Sequence, residues 1–439
     1  MKIALMRWSQ WLLVISLVSG CMANKSSIPT LPTELDGKGL VVARFAVPGR
    51  GYLEGNEIII SGSTYRNAIR TGQLALALPP GEYDVEKVLA RGYYLYTIPY
   101  PRKFRIEANS VTNLGLIVVL TDKKNKDKFL TVVVDNSREM LRYLRASYPA
   151  LAGRLAPERM KLAPGNYLDN SKLQTLRREI ASHEIDADSI VRKPMYRTGD
   201  TQFLNGDAGT IVSFPIKDGK LGSPIIHDTG TLAEILLVAR SEDRVAYLSE
   251  VGELFMADSS GLRRVELPYV VNPAKFRLLN KDTIVIVDHD MRIYSSVDGG
   301  KNWASFESTR VQYATANYDL VNSPRGLYIY GETTGVPAAI LYGRSPYTQF
   351  ESIAPPKSNS SIRGFNKLTV ADTGLFIDYG DTKFHFRPHQ TGVWQQRSKP
   401  GWSCFGSLEF PDNTGERVLV KCSDKRFESR DSGNSWKAI

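Results

Sequence analysis

Metal binding, nucleophilic attack and proton transfer in this chain of 439 residues would fall first to its 3 cysteines and 5 histidines. A histidine ligates a metal or relays protons when further donors converge on it. His183-Glu184 and His227-Asp228 have no third partner nearby in sequence. Asp288-His289-Asp290 falls between two strand-like runs, Thr283 to Val287 and Met291 to Ser295, and reads as a hydrated turn. His385 and His389 have the spacing of a metal pair on a helix, yet Pro388 stands between them and the segment reads as strand and turn. No Gly-x-Ser-x-Gly elbow, His-Glu-x-x-His helix or phosphate-binding loop occurs. The expectation is therefore no metal, no cofactor and no catalytic residue, with enzymatic activity less favoured than a non-catalytic role.

Two of the cysteines have a structural reading. Cys404 opens the run Cys404-Phe-Gly-Ser-Leu-Glu-Phe410 and Cys422 closes Arg417-Val-Leu-Val-Lys-Cys422, with Pro411-Asp-Asn-Thr-Gly-Glu416 between. Each lies nine residues from Asn413, so an antiparallel hairpin centred there sets them opposite each other within bridging distance. A disulfide is expected in a compartment that permits one.

The carboxylates with the clearest pattern occur in two octets, Ser296-Val-Asp298-Gly-Gly300-Lys-Asn-Trp303 and Ser429-Arg-Asp431-Ser-Gly433-Asn-Ser-Trp436. Both read Ser-x-Asp-x-Gly-x-x-Trp and follow an aromatic strand residue, Tyr294 or Phe427. The motif resembles the Asp-box, or BNR repeat, of sialidases, sortilin-type receptors and photosystem-assembly propellers. That resemblance implies that the Ser and Asp side chains accept backbone N–H bonds, that Gly300 and Gly433 take positive φ, and that Trp303 and Trp436 bury their rings between neighbouring sheets. It carries over architecture and no activity, because Asp-boxes in that family lie away from the catalytic face. A sialidase would also need an arginine triad, a Tyr activated by Glu, an Asp acid and usually an Arg-Ile-Pro segment; no Arg-Ile-Pro occurs here.

These corners need sheets to hold them. The two tryptophans are 133 residues apart, three periods of about 44, which fits four-stranded propeller blades. Degenerate blade ends fall between them, Tyr342-Gly-Arg-Ser345 leading to Phe350 and Phe386-Arg-Pro-His-Gln-Thr-Gly-Val393 leading to Trp394, giving spacings of 47, 44 and 42. Upstream, Leu254 to Gly261 ends another blade near Val265, and Thr210 to Ile225 reads as a further partial one. About six blades are expected over residues 197–439, with five or seven as the alternatives.

Residues 39–134 alternate short β-type runs with turn signals: Leu40 to Val47, Glu57 to Ile60, Leu74 to Leu78, Tyr83 to Leu89, Phe104 to Ile106, Leu114 to Leu120 and Leu130 to Val134. The turn Leu78-Pro79-Pro80-Gly81-Glu82-Tyr83 resembles the Pro-Gly-x-Tyr turn of transthyretin-like or PEGA-like β-sandwiches, which implies a small sandwich with the tyrosine packed inward. Residues 135–196 read as a helical connector. Asn136 and Glu139 have capping-box spacing before Met140, Leu141, Leu144 and Tyr148, and Leu173, Leu176 and Ile180 form a second periodic run in which an expected apolar position is Arg177.

The chain start supplies the compartment. Lys2 and Arg7 precede the apolar stretch Trp11 to Val18, too short to span a bilayer, and then Leu17-Val18-Ser19-Gly20-Cys21. The last five residues resemble the lipobox of bacterial lipoproteins, which implies cleavage before Cys21, acylation of its thiol and a lasting hold on the membrane. Met22, in place of the Asp that marks inner-membrane retention, implies the outer membrane; the leaflet stays open. Residues 22–38 read as a flexible tether after the 1–21 leader. The formal charge of +10 falls to +8 without Lys2 and Arg7, an excess that suits anionic lipid or envelope polysaccharide. The densest run, Lys123 to Lys128, reads as a solvated hairpin tip, and no basic stripe with stacking aromatics marks nucleic-acid binding. The reading that results is a mainly β protein: leader, tether, small β-sandwich, helical connector and propeller. It is expected to be a lipid-anchored, non-catalytic scaffold for an envelope protein partner; the alternative is glycan binding or sialidase-like hydrolysis.

Overall fold

The computed structural model describes residues 35–48, 57–61, 63–66, 73–91, 95–121, 129–152, 160–169, 172–185, 195–198, 200–241, 244–258, 261–268, 273–289, 291–307, 317–333, 336–356 and 367–439. Cys21, its leader and most of the tether lie outside the described residues. The chain forms two compact units, Met1–Leu144 with Tyr148–Leu173, and Arg145–Ser147 with Gln174–Ile439. No described helix is long and apolar enough to cross a membrane.

The first unit contains two sheets. One is mixed, in the order Gln73–Leu78, Gly39–Ala46, Val111–Thr121, Phe129–Val134, with Lys161–Leu162 also on Val111–Thr121. Gly39–Ala46 runs parallel to Val111–Thr121 and is buried at every position, so its sequence reads as one apolar run broken by Arg44. The other sheet is antiparallel, in the order Ser63–Arg66, Glu57–Ile60, Gly81–Arg91, Leu95–Ile106. Val41, Phe45, Leu74 and Ile117 from the first sheet meet Ile58, Ile60, Val85 and Phe104 from the second in one core. The Pro-Gly turn carries the chain from one sheet to the other, and Tyr83 packs against the core, stacks on Phe104 at 5.8 Å and donates to Pro79 O at 2.8 Å. The parallel pairing and the length of Leu95–Ile106 are not expected from the sequence: parallel contact is non-local, and Pro99 and Pro101 interrupt the β pattern.

The helix Ser137–Ser147 forms where its periodicity places it, but without the expected cap. The Asn136 carboxamide oxygen accepts from Asn113 Nδ2 at 3.2 Å instead of from the helix N-terminus, and Glu139 pairs with Arg138.

The second unit is a series of antiparallel sheets in propeller order. Sheet one has Met195–Thr198, Thr201–Asn205, Ile211–Lys217 and Ile225–His227, with Lys220–Leu221 as an added edge. Sheet two has Ile235–Arg240, Val245–Ser249, Leu254–Asp258 and Gly261–Val265, and sheet three Pro273–Leu278, Ile284–Asp288, Arg292–Ser296 and Ala304–Glu307. Sheet four has Asn317–Ser323, Gly326–Thr333, Val336–Gly343 and Glu351–Ile353; sheet five has Lys367–Val370, Gly374–Asp378, Lys383–Pro388 and Gln395–Ser398. Leu408–Glu409, Val418–Cys422, Lys425–Ser429 and Lys437–Ala438 make sheet six. The first strands of sheets one to five lie side by side in succession, and each consecutive pair of sheets shares an apolar core. Six sheets is the number the blade period predicts; the partial blade at Thr210 is the second half of sheet one.

The second strands explain the stacking. Val245–Ser249, Ile284–Asp288 and Gly374–Asp378 are buried at every position, as is the stretch from Leu327 to Gly331, because both faces of each sheet meet a neighbour. In sheet six the equivalent strand alternates. Val418 and Val420 are buried against sheet five, Leu419 is half-buried and Lys421 is exposed. Glu409, Arg417 and Arg426 are exposed as well, so the far side of sheet six is a charged, solvated face.

At the other end, Leu204, Val212 and Phe214 on the far face of sheet one are covered by the helix Leu173–Glu184, through Ala181 and then Ile185. Arg177, the charged residue in that helix's apolar stripe, is 1% exposed. Its guanidinium bonds the Asp228 carboxylate and donates to Thr231 O at 2.6 Å, clamping the helix onto the connector between sheets one and two. Arg177→Ala is expected to lower the unfolding free energy by about 2 kcal/mol, measured by urea titration, whereas Arg178→Ala on the exposed side changes it by less than about 0.5 kcal/mol.

Candidate functional site

Four aromatic residues precede the fourth strands of their sheets: Trp303 before Ala304–Glu307, Phe350 before Glu351–Ile353, Trp394 before Gln395–Ser398 and Trp436 before Lys437–Ala438. This is the periodicity read from the sequence. Val265 differs, since in sheet two Asp258 pairs with Gly261 and Val265 closes the fourth strand.

The two Asp-box corners have one hydrogen-bond pattern. Asp298 Oδ1 accepts from Lys301 N at 3.0 Å, Asn302 N at 2.9 Å and Ser296 Oγ at 2.8 Å, and Ser296 Oγ accepts from Gly300 N at 2.9 Å. Asp431 Oδ1 likewise accepts from Asn434 N at 3.1 Å, Ser435 N at 2.9 Å and Ser429 Oγ at 2.7 Å, while Ser429 Oγ accepts from Gly433 N at 2.7 Å. The Asn302 backbone N–H, followed by its side-chain amide, stabilises the ionised form of Asp298 and brings its pKa from 3.8 down to about 2. Gly300 and Gly433 have φ of +88° and +84°, and a Cβ on Gly433 would sit 2.4 Å from Phe384 Cζ in sheet five. The glycine is thus required by backbone conformation and by the approach of the neighbouring sheet.

The indoles differ in what they hold. Trp303 donates within its own corner, to Gly300 O at 3.1 Å. Trp394 donates to Ala354 O at 2.8 Å and Trp436 to Ser398 O at 2.9 Å, each reaching the end of the preceding sheet. These are bonds between sheets.

Cys404 and Cys422 are disulfide-bonded, with Cα atoms 4.7 Å apart. The geometry corrects the route to that pairing: Leu408 faces Val420 and Glu409 faces Leu419, which centres the hairpin on Thr414 and not Asn413. Cys404 therefore lies in the connector before the first strand of sheet six and is not a ladder partner of Cys422. The same connector is fixed by a buried ion pair that sequence reasoning missed. Lys399 Nζ donates to Asp378 Oδ1 and to Gly406 O, both at 2.7 Å, and Asp378 Oδ2 accepts from Leu408 N at 2.8 Å. Between these anchors Trp402 is 91% and Phe405 56% exposed.

The remaining buried carboxylates also hold the framework. Asp288 accepts from Arg292 N at 2.7 Å and from Tyr294 Oη at 3.1 Å. Glu250 accepts from Glu234 N at 3.0 Å; Glu253 takes the Thr231 hydroxyl and pairs with Arg264 at 3.1 Å. Among the described residues no group of three His, Cys, Asp or Glu side chains could hold a metal. His385 is in a strand and His389 beyond it; His389 Nε2 lies 3.0 Å from Ala371 O, and burial lowers the pKa of both. His227 Nε2 is 2.8 Å from Ser213 Oγ.

No protein-family model matches the chain, and no curated protein matches it. Solved structures resemble it at low identity. YCF48 bound to D1 peptide is 16% identical over 56% of this chain and 81% of that chain, with a TM-score of 0.38. YCF48 from Cyanidioschyzon merolae is 14% identical over 56% of this chain and 85% of that one, at 0.37. BamB from Moraxella catarrhalis is 14% identical over 55% and 74%, at 0.36.

The lowered pKa of Asp298 sets a pH window. The corner's stability is complete above pH ~4 and is lost as pH falls toward 2, because the unfolded carboxyl takes up its proton first. The melting temperature of the protein is expected to fall more steeply between pH 4 and 2 than that of Asp298→Asn. Gly433→Ala is expected to cost about 2 kcal/mol by calorimetry, from φ strain plus overpacking. Gly401→Ala, with φ +79° and nothing within 4 Å of its Cβ, bears the strain alone and loses less.

Proposed function

We propose that this chain is a non-catalytic binding or assembly scaffold of the bacterial cell envelope, held at the outer membrane by lipid on Cys21 and recognising a protein partner through the connectors of its six-sheet unit. One observation carries the non-catalytic reading: the buried acids Asp288, Asp378, Glu250 and Glu253 are each engaged by backbone N–H groups, hydroxyls or cations of their own framework. A general acid or nucleophile must instead face substrate with its proton or lone pair free. Each of these carboxylates gives at least one oxygen to a turn or connector of its own framework, which makes the loops rigid platforms for recognition. The lipobox-like run ending in Cys21 supports the anchor, and Met22 supports the outer membrane.

Radiolabelled palmitate is expected to enter the protein and not Cys21→Ser, and globomycin is expected to accumulate the precursor. Crosslinking in cells followed by purification of the lipidated protein should yield one recurrent protein partner. Processing indifferent to globomycin would remove the lipoprotein part. Hydrolysis of a sialoside or other glycoside by the purified chain would remove the scaffold part.

A further inference from the structure

We propose that the connector carrying Trp402 and Phe405, with the cations beside it on sheet six, is a docking site for an anionic phospholipid surface, a second membrane contact independent of the lipid on Cys21. The most exposed large apolar side chain among the described residues is Trp402, and Phe405 follows three positions later. Neither is on a loose loop. Cys404 between them is bonded to Cys422, and Gly406, directly after Phe405, gives its carbonyl to the buried Lys399 ammonium. The order of bonding around this segment keeps two aromatic rings in water on a rigid mount.

The register places positive charge beside them. Leu408 pairs with Val420, so the chain before Leu408 runs toward Cys422, the turn after it and Lys425, which pairs with Cys422. Lys421, Lys425 and Arg426 are all exposed at this end of the sheet. In sheet five, Lys383 pairs with Ser398, immediately before Lys399, and adds a fourth exposed cation. The acids at this end are Asp381, Asp424 and Glu409, the last paired with Arg426 at 3.3 Å. The four cations exceed the three acids by one, and with Arg426 paired to Glu409 it is Lys383, Lys421 and Lys425 that stay open to solvent.

Indole and phenyl rings flanked by lysine and arginine match the chemistry of a bilayer interface: rings enter at the glycerol level and cations meet phosphate. A protein partner would have to supply the whole pocket for this ring, since its own protein covers less than a tenth of it. A bilayer interface supplies an apolar layer that needs no shaped pocket.

The test uses the mature chain from residue 22 onward, which bears neither the lipid nor the apolar leader, in cosedimentation with extruded vesicles of phosphatidylcholine alone or with phosphatidylglycerol added. Binding is expected on the anionic vesicles and not on the neutral ones, with a blue shift of tryptophan emission. Trp402→Ser should weaken it about tenfold or more through the lost apolar area. Lys421→Gln with Lys425→Gln should weaken it about 30-fold, near fivefold for each cation, and added salt should do the same. Unchanged melting temperatures would show that these exposed substitutions leave the fold intact. The proposal is overturned if the chain ignores anionic vesicles, if Trp402→Ser binds as well as its parent, or if a photo-crosslinker replacing Trp402 joins a protein and no lipid in cells. The vesicle assay contains neither anchor nor partner protein, so its failure leaves the scaffold reading untouched.

Discussion

Burial of one strand on both of its faces is the constraint from which the second unit follows. Val245–Ser249, Ile284–Asp288 and Gly374–Asp378 have no solvated side, so none of their sheets is stable without a neighbour above and below. Each buried Val, Leu or Ile contributes about 1.5–3 kcal/mol only while the sheet its side chain faces is present. Stability is then carried largely by nearest-neighbour interfaces, as in repeat proteins, and the ends of the series need their own solution. The helix Leu173–Glu184 supplies one by covering sheet one with an apolar stripe. Sheet six supplies the other by changing its sequence from apolar on both faces to apolar on one and charged on the other.

The corners convert this stack into a framework with fixed turns. Each Asp-box carboxylate collects two backbone N–H groups that an open turn would leave to water, and its serine collects a third. Such charge-assisted bonds are stronger than neutral ones and need no burial to form. The tryptophan that ends the box then acts at longer range. Trp394 and Trp436 donate to the preceding sheet, so one residue both fills the space between sheets and fixes their spacing.

Connectors are where such a framework can recognise something, because strand faces are consumed by packing. The connector between sheets five and six has the most elaborate support: a disulfide, a buried lysine–aspartate pair and a backbone N–H bonded to that same aspartate. Burying Lys399 and Asp378 costs desolvation that the pair and its added hydrogen bonds offset. What the arrangement gains is a segment whose exposed aromatic side chains are held in one place, which lowers the entropy lost on binding.

Much of this was legible in the residues. The aromatics before four of the fourth strands, the six-sheet count and the strand reading of His385 followed from spacing, since a hairpin's bonds close within a few residues. The Asn136 cap did not follow, because Asn113, 23 positions away, claims its oxygen. Nor did the hairpin register: the cysteines are bridged from a connector, and a count from Asn413 cannot see where a strand begins. Arg177 looked like a flaw in a helix until Asp228 and the Thr231 carbonyl came to meet it. The sequence by itself determined which segments become strands, where their corners lock and which residues must be small, because these depend on neighbours along the chain. Only the tertiary structure decided which sheet faces are covered, which charges are paired and that Trp402 stands in water, because burial is set by whatever the rest of the chain brings against a surface.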